Sequence, residues 1–310
     1  MRALERALEL AERGRGTTKP NPVVGAVVVR DGEVVGEGWH ERAGGPHAEV
    51  VALAQAGERA RGATLYVSLE PCSSQGRTPA CSEAIAAAGV GRVVAGASDP
   101  LQDGLARLRE ARIEVELVDA WEARVQNEAW RAWATLGRPF VTYKAAVTLD
   151  GRMTLPGSRW ISGEESRRLV HELRAASDAV AVGMGTVRAD NPALTARDVG
   201  AERQPRRIAF GSGALPEHSE LELMTGPIEE ELRRLGEDEV QSLLLEGGPT
   251  LATAFLEADL IDKLLVFVSP RLSGDGPHLF RELVRPVDLR WLSARGIEED
   301  VLLSAYLHEP

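Results

Sequence analysis

Two cysteines, Cys72 and Cys81, are the only ones in the chain, and both lie in one polar stretch, EPCSSQGRTPAC, from Glu70 to Cys81. Some twenty residues upstream, PHAEV places Glu49 two positions after His47. A catalytic zinc keeps three protein ligands and leaves its fourth position to water, whose pKa it lowers to about 7. His47, Cys72 and Cys81 have the types for such a set, and Glu49 is placed to move protons beside it. Both PHAEV and CSEAIAAAG read as helix starts, where the backbone favours negative charge and hence thiolates.

Other readings of these residues are weaker. A structural zinc normally takes four ligands, and the chain has no further cysteine to complete the set. His40 is the near candidate for a fourth, but it ends a separate strand. A lone histidine or a lone buried thiol would need no Glu two residues on. His-x-Glu followed by Pro-Cys-x-x-Cys is the order used by zinc deaminases, with the glutamate a proton shuttle and not a ligand. That order is kept here, while the second spacing is stretched to Pro-Cys-x8-Cys.

The elements that must position these residues follow from periodicity. The N-terminal stretch MRALERALELAERG sets Leu4, Leu8 and Leu10 among charges, an amphipathic helix and not a signal peptide. NPVVGAVVVRDGEVVGEGWH reads as two β-branched strands around an Asp31-Gly32 turn. PHAEVVALAQAG is a helix, ATLYVSLEP a buried strand, CSEAIAAAG a helix and VGRVVAGASDP a strand. A helical stretch through Trp121, Val125, Ala129 and Trp133 stops at Gly137-Arg138-Pro139, a boundary signal. Beyond it come the strands FVTYKAAVTLDG, DAVAVGMGTV and QSLLLEGG, the helix PTLATAFLEADL and the strand KLLVFVSP. Helices interleaved with strands give an α/β class, and 310 residues accommodate two such domains joined near residue 139.

Composition narrows the partners. No apolar run reaches the roughly 18 residues of a membrane span, so a cytoplasmic location is expected, where thiols stay reduced and a metal or catalytic role outweighs a disulfide. Net charge is −11, with basic residues clustered in nothing longer than pairs such as Arg167-Arg168 and Arg206-Arg207. A long nucleic acid requires a basic face; a small anion needs only a few arginines. Lysine occurs at Lys19, Lys144 and Lys263 alone, and Lys144 sits in an apolar strand where an amine needs a partner. Glu246-Gly247-Gly248-Pro249-Thr250 ends a buried strand and opens a helix, a geometry that lets backbone amides approach a phosphate. On its own it is equally an ordinary turn, and no Gly-x-Gly-x-x-Gly fingerprint follows a strand.

TTKPNPVVGAVVVRDGEVVGEGWHERAGGPHAEVVAL followed by LYVSLEPCSSQGRTPACSEAI resembles the deaminase half of the bifunctional deaminase/reductases of riboflavin biosynthesis, whose branch carries the Pro-Cys-x8-Cys spacing. YKAAVTLDGRMTLPGSRWIS, AVGMGTVRADNPALTAR and LLLEGGPTLATAFLEADLIDKLLVFVSPRLSG resemble the reductase half. The resemblance implies a cytidine-deaminase-like α/β/α domain over residues 1–138 and a dihydrofolate-reductase-like α/β domain over residues 139–310. It implies deamination of a phosphoribosylamino-pyrimidinone at zinc held by His47, Cys72 and Cys81, with Glu49 as proton carrier and Asn21 and Arg77 as substrate contacts. It further implies NADPH-dependent reduction of the ribosyl group to ribityl. The cofactor would meet Ala146, Trp160, Thr186, Asp190, Ser212, Gly248, Pro249 and Thr250. The substrate would meet Lys144, Ser158, Arg174, Leu194, Arg197 and Glu246. A small phosphorylated pyrimidine as the partner, no nucleic acid, no membrane, and a homodimer or homotetramer assembled through the reductase domain complete the expectation.

Two departures from the family pattern fall in the first half. Ser74 stands where the family usually has a histidine that helps hold the substrate, and Ala80 replaces a proline. After Ser98-Asp99-Pro100 an Asn-Pro-x-Val-x-Gly-x-Gly loop is replaced by the shorter LQDGLARLREARIEVEL. In the second half Gly211 replaces a frequent aspartate, and the stretch 213–240 is shorter than usual. The second-half departures read as loop trimming that leaves the cofactor segments in place. Ser74 and the shortened loop after Pro100 instead motivate an alternative in which only the reductase works and the first half is a zinc-binding scaffold, although such a scaffold would not need Glu49. A nucleic-acid base deaminase with an added domain is the remaining alternative, against the charge balance.

Overall fold

The computed structural model describes residues 2–74, 79–201 and 203–310, which divide into two compact units, Met1–Thr135 and Leu136–Pro310.

In the first unit, α1 (Arg2–Glu12) buries Leu4, Ala7, Leu10 and Ala11. Strands β1 (Gly25–Arg30) and β2 (Glu33–Trp39) form the expected hairpin. Asp31 (φ 50°) and Gly32 (φ 83°) both adopt the left-handed backbone that a two-residue turn of this kind requires. There follow α2 (Ala48–Ala56), β3 (Thr64–Val67), α3 (Cys81–Ala87), β4 (Arg92–Ala95), α4 (Gly104–Glu110), β5 (Glu114–Leu117), α5 (Trp121–Gln126) and α6 (Glu128–Leu136). The sheet order is β2-β1-β3-β4-β5, with β1 antiparallel to both neighbours and β3, β4 and β5 parallel. Val28, Leu65, Val67, Val93 and Ala95 meet Ala52, Ile85 and Leu108 in one core cluster. Glycine at two positions of β2 brings α2 close: a Cβ on Gly38 would stand 2.5 Å from the Ala48 carbonyl, and one on Gly36 2.1 Å from that of Ala52.

The helical stretch expected through Trp121 to Trp133 is two helices. Asn127 breaks it because its side chain is spent on the backbone of Val23, accepting from the amide (3.0 Å) and donating to the carbonyl (2.9 Å). Trp130 and Trp133 pack with Leu69, Ala97 and Ala123 on this unit's own core.

The second unit runs β6 (Phe140–Thr148), α7 (Glu164–Ala176), β7 (Ala179–Gly183), α8 (Met184–Asp190), β8 (Arg206–Phe210), β9 (Glu222–Met224), α9 (Ile228–Glu237), β10 (Ser242–Leu245), α10 (Pro249–Glu257), β11 (Lys263–Ser269), β12 (Arg290–Ile297) and β13 (Asp300–Tyr306). Its sheet order is β12-β13-β11-β6-β10-β7-β8-β9. Pairing is parallel from β11 through β9 and antiparallel at β13 and β12. Central β6, β7 and β10 bury Tyr143, Ala181, Leu243 and Leu245 against Phe255 and Leu232. The segment expected as one strand, DAVAVGMGTV, is β7 followed directly by α8, with extended Gly183 at the junction. The closing β12–β13 hairpin was not anticipated; β12 is exposed along nearly its whole length and shows no buried face.

Candidate active sites

In the first unit two helices and one strand end deliver the chemistry. His47 is the extended residue before α2 (φ −73°, ψ 157°), and Glu49 lies in the first turn of that helix. Cys81 is the first residue of α3, and Cys72 follows the run that leaves β3. The sheet therefore brings together residues 25 and 34 positions apart in sequence. His47 Nδ1 lies 3.1 Å from Cys81 Sγ and 3.6 Å from Cys72 Sγ, and the Cys81 amide donates to Cys72 Sγ at 3.2 Å. Their three ligand atoms fall within 4.8 Å of one another. Tetrahedral zinc with ordinary Zn–N and Zn–S bonds spaces such atoms by about 3.6 Å, so this donor set fits zinc. Among the described residues no fourth ligand joins the cluster.

Electrostatics favours a thiolate at Cys72. The hydrogen bond from Cys81, with His47 adding to it and burial opposing, pulls the Cys72 thiol down to about 4. Cys81, the donor of that bond and itself buried, is pushed up, and the contact with Cys72 raises His47. Glu49 is 3% exposed, and burial raises its carboxyl above the usual carboxylate range.

His40 is not a ligand but a brace. Its ring stands edge-on to that of His47 at 5.4 Å between centroids. Its Nδ1 lies 3.0 Å from the Pro46 carbonyl, and its Nε2 lies 3.3 Å from Asn21 Nδ2. The exposed Asn21 is thereby linked through His40 to the His47-Cys72-Cys81 group. Arg77 lies outside the described residues.

In the second unit the middle of β6, the end of β10 and helix α7 converge on Glu246. Arg174 donates to it twice, from Nε to Oε1 at 2.6 Å and from Nη2 to Oε2 at 3.0 Å, and Lys144 Nζ is 3.7 Å from Oε2. Burial alone would push Glu246 up, but Lys144 and Arg174 overcome it and hold the carboxyl below its usual range. Burial lowers the Lys144 ammonium, with Glu246 opposing. His171 on α7 ties that helix to the loop bearing Leu194 and Arg197. Its Nδ1 lies 3.1 Å from the Thr195 carbonyl and 3.2 Å from the Arg197 amide. Leu194 has its side chain in the core and a left-handed backbone (φ 52°). Arg197 is exposed.

Gly248 precedes α10, which starts at Pro249 and Thr250, and a Cβ on Gly248 would stand 3.8 Å from Thr186 Oγ1 on α8. Asp190 closes α8, and Arg188 on the same helix donates to the Ser212 carbonyl at 2.8 Å. Ala146 lies on β6. Ser158 Oγ donates to the Trp160 carbonyl at 2.8 Å, and the half-exposed Trp160 ring lies against the Arg159 and Arg167 guanidiniums at 4.9 and 5.1 Å. Thr186, Gly248, Pro249 and Thr250 thus form one group, with Asp190 and Ser212 along its α8 side; Ser158 and Trp160 form another.

Comparison with known proteins agrees with both units. The family model described as the RibD C-terminal domain matches residues 139–303, and that described as the cytidine and deoxycytidylate deaminase zinc-binding region matches residues 1–97. A riboflavin biosynthesis protein RibD from Aquifex aeolicus is 40% identical, over 96% of this chain and 95% of its own. The RibD protein of Escherichia coli is 41% identical over 87% and 88%. Among solved structures, Acinetobacter baumannii RibD superposes with a TM-score of 0.85 at 35% identity, covering 99% of this chain and 98% of its own. A diaminohydroxyphosphoribosylaminopyrimidine deaminase/5-amino-6-(5-phosphoribosylamino)uracil reductase from Thermotoga maritima gives 0.84 at 34%, with the same coverage.

Proposed function

This chain belongs to the RibD family of bifunctional deaminase/reductases of riboflavin biosynthesis, and from that premise we propose which of its residues carry each reaction. The first unit is a zinc-dependent deaminase and the second an NADPH-dependent reductase; we set the division between residues 138 and 139.

The observation that carries the deaminase assignment is the grouping of His47, Cys72 and Cys81 beside a buried Glu49. These three would hold zinc, which when bound would supply an acidified water as the nucleophile. Glu49, whose carboxylate burial makes more basic, takes a proton from the attacking water and passes it to the pyrimidine ring nitrogen. It then carries the remaining proton of the added hydroxyl to the amino group, which leaves as ammonia while the carbonyl forms. His40 fixes the His47 ring, and Asn21, reached through His40, meets the substrate, with Arg77 a further contact. The substrate class is a 2,5-diamino-6-(phosphoribosylamino)pyrimidin-4-one.

In the reductase NADPH, when bound, would supply the hydride that converts the opened ribosyl imine to the ribityl amine. Thr186, Asp190, Ser212, Gly248, Pro249 and Thr250, together with Ala146 and Trp160, hold the cofactor. Lys144 donates a hydrogen bond to the imine and makes it a better acceptor; Glu246, locked by Arg174, holds the sugar against it. Ser158, Arg174, Leu194 (through its backbone) and Arg197 receive the rest of the phosphorylated substrate.

Among the described residues no helix is long and apolar enough to cross a membrane, and we place the enzyme in the cytoplasm. We also take it to be a homodimer, or a pair of dimers, built on the second unit. Support comes from its edge strand β12 and the neighbouring segments, which leave Leu272, Val284, Leu289, Trp291 and Leu292 exposed.

Metal analysis with an ammonia assay tests the deaminase assignment. Zinc is expected to copurify and to be lost with ammonia release in Cys72→Ser. Full ammonia release from metal-free protein would contradict it.

A further inference from the structure

The two departures from the family pattern in the first unit meet in space. The short connection that replaces the longer loop after Pro100 lies against the segment Glu70-Pro71-Cys72-Ser73-Ser74, and one side chain dominates the contact. Gln102 Oε1 accepts from the Ser73 amide (2.9 Å), the Ser73 hydroxyl (3.1 Å), the Ser74 amide (3.2 Å) and the Ser74 hydroxyl (3.2 Å). An amide oxygen has two lone pairs, so these four donors share one acceptor and converge on one point. Ser73 Oγ in turn accepts from the Asp103 amide at 3.2 Å.

The connection itself is held at both ends. Glu70 accepts from the Asp99 amide (3.2 Å) and the Leu105 amide (2.9 Å), spanning the base of the loop. Gly104 packs so closely that a Cβ there would come within 1.7 Å of the Pro71 carbonyl. Gln102 is therefore carried on a fixed base, half-buried, with its side-chain carbonyl aimed at the two residues that follow metal ligand Cys72.

We infer that Gln102 is a positioning residue of the deaminase: in place of the missing histidine and the missing loop, it fixes the Ser73-Ser74 segment so that Ser74 presents a set geometry to the substrate. This rests on the deaminase assignment above. The two sequence departures then form one matched substitution, in which a shorter loop delivers an acceptor to a shorter side chain. They are not two independent losses. The binding step, and not the proton transfers at Glu49, is what depends on Gln102.

The test is Gln102→Met, which keeps the length and removes the acceptor. Ammonia release and zinc content are read on the whole chain, and NADPH oxidation is read with pre-deaminated substrate. The expected result is a KM for deamination raised on the order of tenfold, the loss of roughly one well-placed hydrogen bond, with kcat within about twofold. Zinc content and NADPH oxidation stay at wild-type values. A second variant, Ser74→Ala, adds little on top of Gln102→Met, because both remove the same contact. Unchanged KM in Gln102→Met overturns the inference, as does a fall in kcat with loss of zinc, which would mark Gln102 as a general prop of the fold. Wild-type protein that releases no ammonia would instead refute the deaminase assignment.

Discussion

Arg174 and Glu246 share two hydrogen bonds, 2.6 and 3.0 Å long, across the end of β10, and the second accepting oxygen is also the one 3.7 Å from Lys144. One carboxylate thus balances two cations whose side chains are only 15% exposed. Removing it leaves both uncompensated, and breaking such a pair costs about 3 kcal/mol. Glu246→Ala is expected to lower unfolding stability by about that amount in urea and to cut reductase kcat/KM on the order of 100-fold. Ammonia release should stay near wild type.

Cys81 opens α3 and is wholly buried, so its replacement acts on the metal before it acts on the surface. Cys81→Ser is expected to lose zinc and ammonia release together while NADPH oxidation of pre-deaminated substrate persists. Metal analysis by mass spectrometry alongside both assays checks this. Treatment of wild-type protein with a strong chelator should reproduce the pattern, and added zinc should reverse it.

Gly38 lets α2 lie on β2. An added Cβ would stand 2.5 Å from the Ala48 carbonyl and 2.7 Å from both the Ala52 nitrogen and Val51 Cβ, so the helix bearing Glu49 must shift. Gly38→Ala is expected to destabilise the first unit by about 1–3 kcal/mol and to lower deaminase kcat, with the reductase spared. Urea unfolding followed by parallel assays reads both effects.

His308 sits between two carboxylates, Nδ1 at 2.9 Å from Asp262 and Nε2 at 3.1 Å from Asp259. The hydrogen bond to Asp262 raises its pKa above the ordinary imidazole value. A group whose folded pKa is raised contributes fully below its unfolded pKa of about 6.5 and loses that contribution as pH rises through the folded value. His308→Gln should therefore differ most from wild type near pH 6 and converge with it at alkaline pH. Urea midpoints measured from pH 5.5 to pH 9 test this; a gap that widens with rising pH would contradict it.

Much of this architecture is legible in the sequence where a single physical requirement dictates residue type. Two short β-branched runs around Asp31-Gly32 specify the hairpin because both turn residues need a left-handed backbone. The grouping of His47, Cys72 and Cys81 is legible because few other reasons place the only two cysteines in one loop downstream of His-x-Glu. What escapes has its cause far away in the chain. Asn127 divides α5 from α6 through bonds to Val23, 104 positions earlier, which no local period shows. Gln102 carries no motif, being an uncharged loop residue whose importance lies in where its carbonyl points. The turn from β7 into α8 is hidden because Ala179 to Gly185 is a continuous apolar and glycine run. An exposed β12 shows no alternation to read.

The central claim is that one chain performs both reactions, with Glu49 serving only the first. It is tested most directly by following ammonia release and NADPH oxidation separately on zinc-replete protein supplied with the diamino-pyrimidinone phosphoribosyl substrate. Wild type is predicted to show ammonia release followed by NADPH oxidation. Glu49→Gln is predicted to show neither with that substrate, yet to oxidise NADPH at the wild-type rate when the deaminated compound is supplied. Wild-type protein that oxidises NADPH only with the deaminated compound would contradict the account and leave the first unit a zinc-binding scaffold.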